Sequence, residues 1–364
     1  MASGARFQYE GICFLNTETR NLFEMKKLEK WFKSFLVFLI RIVLPGKNQK
    51  RIDSGWTNFK RILIFRLDNR LGNAILILSL VQSIKKSLPD VSLDVLMTAS
   101  YVELYQNHPA IQNIIPYDQK YLFRNPIRFL FLIQRLRKNK YDAVFSSNNP
   151  DAFSVSQAIF NRLVTQNRSV GFEWKESTRL YSDVVAGDTN IHYARAQYDL
   201  WRYFDKNADF ISPKLYLLNE KKPTPDKPLL FWLGATGNKI LDEELVNDII
   251  LATEPLEIDI QLAVGPHDEH ILDRYTKSWQ AKILTINLGL KEIADYFRKY
   301  KCIIMPDTGP MHLVAAIGIP LVQVFVDSNI KQYGYFGPNN FIIDKKVDTD
   351  ALQYFIKEQL THVS

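Results

Sequence analysis

The sequence predicts an α/β protein built from two doubly wound halves. Three observations predict it. Short apolar runs of strand length alternate with helix-length amphipathic segments, as in parallel β-α-β units. The alternation stops at a Pro- and Lys-rich stretch and then restarts. The length of 364 residues exceeds one ordinary core and suits two domains of about 150 residues each.

Composition sets outer limits. Hydrophobic residues at 46% and charged residues at 23% describe a globular chain, not a disordered one. The net charge of +7 and a pI near 9.1 favour an anionic partner: a nucleotide, a phosphorylated glycan, a nucleic acid or an acidic membrane. The two cysteines, Cys13 and Cys302, are too far apart in sequence to suggest a disulfide framework or a metal cluster. A reducing cytoplasm is the simplest home. The six histidines lack HExxH-type spacing, so no metal site is expected.

Residues 1–58 read as an N-terminal extension. From Lys26 to Arg51 there are eight basic residues and one acid, Glu29. Leu28, Trp31, Phe32, Phe35, Leu36 and Leu39 place an apolar stripe along a helix, with Lys30, Lys33 and Arg41 off it. The longest apolar run, Phe35–Ile40, is too short to span a bilayer, and Leu44-Pro45-Gly46 is a poor cleavage site. The pattern fits a helix lying on the anionic inner-membrane surface, or a helix packed on the protein itself.

The first half, residues 59–218, opens with a strand at Arg61–Arg66, then a helix over Asn73–Leu88 stopped by Pro89. Strands follow at Ser92–Met97, Ile111–Ile115 and Tyr141–Ser146, with a basic helix at Phe129–Lys138 before the last. Residues 219–228 (NEKKPTPDKP) are the linker. The second half, residues 219–364, predicts strands at Leu229–Leu233, Asp259–Val264, Ile283–Ile286, Cys302–Met305 and Leu321–Phe325. Its helices fall at Asp242–Ala252, Ile271–Trp279, Lys291–Tyr300, Met311–Ile317 and Asp350–Leu360, the last capped by Asp348 or Thr349.

Ligands of doubly wound sheets bind beyond the carboxyl ends of the strands, so the loops that follow strands carry the chemistry. The most specific one lies in Met305–Val324, MPDTGPMHLVAAIGIPLVQV. Asp307-Thr308-Gly309-Pro310 opens a helix whose free N–H groups and dipole suit phosphate oxygens. Thr308 adds a hydroxyl, and His312 either donates to phosphate or packs beneath the loop. Read from propensity alone, Asp307 can equally be a plain helix cap and His312 a buried spacer.

The stretch DTGPMHLVAAIGIPLVQVF resembles the donor-site signature of glycosyltransferase family 9, the ADP-heptose:lipopolysaccharide heptosyltransferases. The first half, from RILIFRLDNRLGN to the Pro116-Tyr117-Asp118 end of strand three, is similar to the family's opening strand, Gly-containing loop, helix and following strands. The resemblance runs from about Lys60 to Phe336. It implies a GT-B architecture, two Rossmann-like domains facing a central cleft, with acceptor in the first and nucleotide-sugar in the second. It further implies inverting, metal-independent transfer without a cofactor, commonly of heptose from ADP-heptose to the lipopolysaccharide core.

Carried over by position, the resemblance gives Asp307 the donor-sugar hydroxyls and lets Thr308, Gly309, Pro310 and Met311 wrap the diphosphate, with His312 at the same loop. Thr236 and Lys239, after the Leu229–Leu233 strand, supply a hydroxyl and a cation to the diphosphate. Glu269 takes the ribose, or is a solvated acidic turn. In the first-half loop the family ends Gly-Asp, with that Asp as general base. Here the residue is Asn73, and an amide cannot accept the proton. Asp68 replaces the base or is a surface carboxylate paired with Arg66 or Arg70; otherwise Asn73 only orients the acceptor, or the chain is a silent nucleotide-sugar or glycan-binding homologue. Arg66 and Arg70, with the basic helix of Arg128, Arg135, Arg137 and Lys138, are candidates for acceptor phosphates or acidic sugars. A dehydrogenase is disfavoured because no G-x-G-x-x-G follows the first strand, and nucleic-acid binding because basics and aromatics do not interleave in a known motif. The expected location is cytoplasmic, at the inner-membrane surface.

Overall fold

The computed structural model describes residues 55–118, 125–165, 167–174, 177–217 and 225–361. The predicted amphipathic helix and most of the linker lie outside them. The described residues fall within one compact unit, Gln49–Ser364.

Two six-stranded parallel sheets organise this unit. The first holds β1 (Arg61–Arg66), β2 (Ser92–Thr98), β3 (Asn113–Tyr117), β4 (Ala143–Ser146), β5 (Arg168–Phe172) and β6 (Asp183–Val185), in the order 3-2-1-4-5-6. The second holds β7 (Lys227–Trp232), β8 (Ile260–Val264), β9 (Ile283–Thr285), β10 (Tyr300–Pro306), β11 (Leu321–Phe325) and β12 (Asn340–Asp344), in the order 12-11-10-7-8-9. That is the same arrangement read from the other edge. Each sheet reverses strand order beside its first strand, between β1 and β4 and between β7 and β10, which is where such folds bind ligands.

The helices of the first half are α1 (Leu71–Leu76), α2 (Leu78–Ser87), α3 (Pro126–Lys138), α4 (Val155–Val164), α5 (Ser177–Leu180) and α6 (Tyr193–Arg202). Those of the second are α7 (Glu243–Thr253), α8 (Lys277–Gln280), α9 (Leu290–Phe297), α10 (Gly309–Ile317), α11 (Ile330–Tyr333) and α12 (Thr349–Thr361). Local chemistry explains their ends. The Leu245 N–H donates to Asp242 Oδ1 at 2.8 Å and starts α7. The Ala351 N–H donates to Asp348 Oδ1 at 3.1 Å, so Asp348 rather than Thr349 caps α12. Gly318 ends α10 with φ +79°, which a side chain would resist.

Several boundaries differ from expectation. The helix predicted over Asn73–Leu88 is two helices, broken at Ile77. The helix predicted over Ile271–Trp279 is a 3₁₀ segment, Glu269–Arg274, followed by the single turn of α8. Strands β5, β6 and β12 and helices α4 and α6 have no counterpart in the prediction. β5 (RSVGF) carries Arg, Ser and Gly among its five residues, and β6 (DVV) has only three, so neither shows strand periodicity.

The two halves meet through helix starts. α1 follows β1, α10 follows β10, and the two helices pack on each other. Glycines permit the approach. A Cβ on Gly72 would stand 2.4 Å from His312 Cδ2, and one on Gly309 would stand 3.1 Å from Leu71 Cβ. Behind this contact a single cluster of buried apolar side chains, including Ile64, Ala74, Leu230, Met305 and Met311, runs through both halves.

The seam predicts its own weak point. Gly72→Ala forces a methyl into the buried His312 ring, so the variant is expected to lose about 1–3 kcal/mol of stability. Urea midpoints of the two proteins measure this, and an equal midpoint would mean that the seam yields freely.

Candidate functional site

A cavity of about 510 Å³ opens at the two switch points, a size that suits a nucleotide-scale ligand. Four loops line it, each just past a strand's carboxyl end. The loop after β1 contributes Arg70 and leads into Gly72 and Asn73 of α1; the loop after β7 contributes Gly234, Thr236 and Lys239. Asp268 comes from the loop after β8, and Asp307 to Pro310 from the end of β10 and the start of α10. Tyr333 of α11 closes one side.

The centre of the site is an ion pair. Lys239 Nζ donates to Asp307 Oδ2 at 2.7 Å, with the Asp307 side chain 3% exposed and the Lys239 side chain 36%. The ammonium also lies 5.4 Å from the centre of the Tyr333 ring, in cation–π range. The buried carboxylate thus holds its cation at the cavity wall, where that cation stays open to a ligand.

His312 stands behind Asp307, its Nε2 4.0 Å from Oδ1. Burial drives its pKa down to about 3, although the Asp307 carboxylate pulls the other way, so the ring is neutral near pH 7. Its Nδ1 meets the Tyr335 hydroxyl at 2.9 Å. Desolvation raises the pKa of that phenol and keeps it protonated. The neutral ring and the protonated phenol thus share one hydrogen bond, while Nε2 faces Asp307. The ring of His192 packs 4.9 Å from Tyr335 and is likewise held neutral by burial, with a pKa of about 4. His312 is buried beneath the loop and also lines the cavity.

The other expected donor contacts divide. Thr308, Gly309 and Pro310 line the cavity, and the Thr308 and Gly309 N–H groups stand where no preceding turn supplies a carbonyl. The Thr308 hydroxyl donates to the Pro306 carbonyl at 3.3 Å, leaving its lone pairs available. Thr308 itself is the residue before the helix, without a side-chain cap bond, so Asp307 is not a simple cap. Thr236 is exposed and lines the cavity. Met311 departs from expectation: its side chain is fully buried, and its N–H donates to the Thr308 carbonyl at 3.1 Å. Glu269 is exposed and outside the cavity wall. The carboxylate that faces the cavity is its neighbour Asp268, whose pKa burial raises. Gly234 and Gly265 make room for it, since a Cβ on either would come within 3.0 Å of Asp268 Oδ2.

The first-half loop forms a closed hydrogen-bond circuit. Arg66 grips Asp68 with two bonds, Nε to Oδ1 at 2.8 Å and Nη2 to Oδ2 at 2.9 Å. Asn73 Nδ2 donates to Asp68 Oδ2 at 2.5 Å, and Asn149 Nδ2 donates to Asn73 Oδ1 at 3.2 Å. Arg66 Nη2 closes the ring on Asn149 Oδ1 at 2.9 Å, while Nη1 donates to the Ser147 carbonyl. Arg66 is 3% exposed and its guanidinium is spent inside the protein, so it does not reach an acceptor. Arg70 is exposed at the cavity wall and remains the first-half cation open to a ligand. Asn73 also lines the cavity, whereas Asp68 stands behind it, with its side chain 35% exposed.

Asn149, Asp268, Tyr333, Tyr335 and His192 are site residues that the sequence reading missed. A faint signal existed for the tyrosines: Tyr333-Gly334-Tyr335 places two aromatics two residues apart beside a glycine.

Comparison with known proteins gives one family. The profile of glycosyltransferase family 9 (heptosyltransferase) matches residues 129–353. Lipopolysaccharide heptosyltransferase 1 of Escherichia coli O18:K1:H7 is 22% identical over 325 residues, covering 82% of this chain and 97% of that protein. Lipopolysaccharide heptosyltransferase 1 of Campylobacter coli is 27% identical over 296 residues, covering 73% and 83% respectively. Among solved structures, E. coli heptosyltransferase WaaC with ADP matches with a TM-score of 0.65 at 19% identity, over 82% of this chain and 99% of that one.

The buried histidines set a pH window. Burial lowers His108 to about 4, His192 to about 4 and His312 to about 3, all from 6.5. Below pH 6.5 the unfolded chain takes up protons that the folded chain refuses, so stability falls as pH drops toward 4. His312→Gln is expected to flatten that fall, read as urea midpoint against pH; an identical slope would show that His312 is not held neutral.

Proposed function

The chain belongs to glycosyltransferase family 9, the heptosyltransferases, and is a glycosyltransferase; from that premise we propose that it moves heptose from ADP-heptose onto the core of lipopolysaccharide or a related surface glycan. The observation that carries this reading is the shared wall of one cavity. Lys239, Thr236 and the start of α10 face it from the second half, and Arg70 and Asn73 face it from the first. A leaving nucleoside diphosphate gains negative charge as its bond to the sugar breaks. A cation, a hydroxyl and a helix start directed at one place stabilise that charge. The proposed route is metal-independent, with Lys239, Thr236 and the start of α10 taking up the leaving charge. The names of the relatives, lipopolysaccharide heptosyltransferases, support the donor and acceptor classes.

In the proposed step, an acceptor hydroxyl attacks the anomeric carbon from the face opposite the diphosphate. The new C–O bond forms as the sugar–phosphate C–O bond breaks, so configuration inverts. The hydroxyl proton goes to Asp68, the one carboxylate in the circuit behind Asn73. Asn73 holds that carboxylate from one side and Arg66 from the other. Asp268 is the candidate for the ribose hydroxyls in place of Glu269.

We also infer that the enzyme works at the anionic face of the inner membrane. Among the described residues no helix is long and apolar enough to cross a membrane. α3 instead turns Ile127, Leu130 and Phe131 outward, at 64%, 58% and 65% exposure. Its sequence contains no acid and four basic residues, Arg128, Arg135, Arg137 and Lys138. Apolar side chains flanked by cations describe a helix that rests in a headgroup layer. The basic residues of α3 are then assigned to lipid phosphates as well as to the acceptor.

Two experiments test these readings. Asp68→Asn is expected to lower kcat by about 100-fold or more, within the range of general-base loss, and the near-isosteric swap Asp68→Asn/Asn73→Asp to recover much of it. Full activity in Asp68→Asn would remove Asp68 as the base. The Ile127→Ser/Phe131→Ser variant is expected to sediment less with phosphatidylglycerol vesicles than the parent protein does. Equal sedimentation would remove α3 from the membrane contact.

A further inference from the structure

A second cavity, of about 760 Å³, lies at the other end of α10 from Thr308 and Gly309. Its floor is the last turn of that helix, Ala315 to Gly318. Lys85 and Lys86 of α2 reach it from the first half, and Arg298, just past α9, from the second. Segment 211–216 joins the two sides and adds Lys214. That segment is held on both: Gln82 Nε2 donates to the Lys214 carbonyl at 2.9 Å, and the Leu215 N–H donates to the Ala316 carbonyl at 3.0 Å. The cavity is therefore built from both halves, and no step above uses it.

Its cations are under-used. Lys86 pairs with Asp209 at 2.7 Å, but both side chains are more than half exposed, where such pairs are worth little. Lys85 Nζ donates to the neutral Val91 carbonyl at 2.9 Å, and Lys214 Nζ lies 5.4 Å from the centre of the Tyr216 ring. Arg298 is the strongest case. Its side chain is 12% exposed, and among the described residues its guanidinium contacts only Asp295 Oδ1, at 3.5 Å. A guanidinium carries five N–H donors, and leaving most of them unpaired at that depth is costly. An oxyanion offers paired oxygens that match its fork. Three cations from three elements exceed what one carboxylate balances and suit a phosphate. The carbonyls at the end of α10 are already occupied, Ala316 by Leu215 and Ala315 by the Gly318 N–H at 3.2 Å. The Tyr216 ring, 37% exposed with His108 edge-on at 5.0 Å, gives the rest of a ligand a flat wall.

We propose that Arg298, Lys85 and Lys214 form a second anion site, separate from the donor cavity, that takes a phosphate or diphosphate ester of nucleotide size. Inorganic pyrophosphate, titrated into the full chain and followed by peptide-resolved hydrogen exchange, tests it. Segment 211–217 is expected to gain protection in the parent protein. The midpoint of that protection is expected to rise by about tenfold or more in Arg298→Met and in Lys214→Met, as for loss of a charge-assisted bond to phosphate. Protection at the 308–311 turn is expected to keep its parent midpoint in both variants. Should Arg298→Met fail to fold, the exposed Lys214 still decides. A parent segment that gains no protection overturns the site, and so does an unchanged midpoint in Lys214→Met. Vesicles of phosphatidic acid then identify the source. Protection by them assigns the phosphate to a lipid headgroup and its absence to a soluble ligand, and both results keep the site. No turnover is read, so the outcome does not depend on the transferase reading.

Discussion

The site depends on one buried charge. Asp307 lies under the first turn of α10 with its side chain 3% exposed, and a carboxylate taken out of water costs several kcal/mol unless it is paired. Lys239 supplies the pairing at 2.7 Å. His312 does not, because burial keeps it neutral. The cation is therefore drawn to one place at the cavity wall and kept there, backed by the Tyr333 ring. A diphosphate entering the cavity meets a charge already positioned, which is how preorganised sites favour the charge that develops during reaction.

Everything around that pair brings two helix starts to the same point. Parallel sheets of one strand order place α1 and α10 at their switch points. Gly72 and Gly309 then let the halves close to a distance that side chains would forbid. The first half contributes the Arg66–Asp68–Asn73–Asn149 circuit at that seam. Asn73 stands in it where the family resemblance implies a catalytic carboxylate. The circuit shows how this chain tolerates the change: the amide both donates and accepts, joining Asp68 to Asn149. Arg66, by sequence a candidate for acceptor phosphates, is the buried anchor of the same circuit.

The sequence made the architecture legible where burial imposes a period. β1 and β10 are central strands buried on both faces, and they read as unbroken apolar runs. The Thr308-Gly309-Pro310 turn was legible because glycine and proline act on the backbone locally. Less was visible where a role depends on long-range contact. Asp268 and Glu269 are adjacent acids, and only the packing beside Gly234 and Gly265 turns one of them inward. Met311 follows Pro310 in the signature but points into the core. Arg66 and Arg70 flank one loop with the same charge, and the fold buries the first and exposes the second.

The central claim is that Lys239, held by Asp307, is the cation that grips the donor's diphosphate. Calorimetric titration of ADP into the parent protein and into Lys239→Met, both confirmed folded at neutral pH, tests it most directly. The account predicts that the substitution weakens ADP binding by about tenfold or more, as expected for loss of a charge-assisted bond to phosphate. Equal ADP affinity in the two proteins would contradict it.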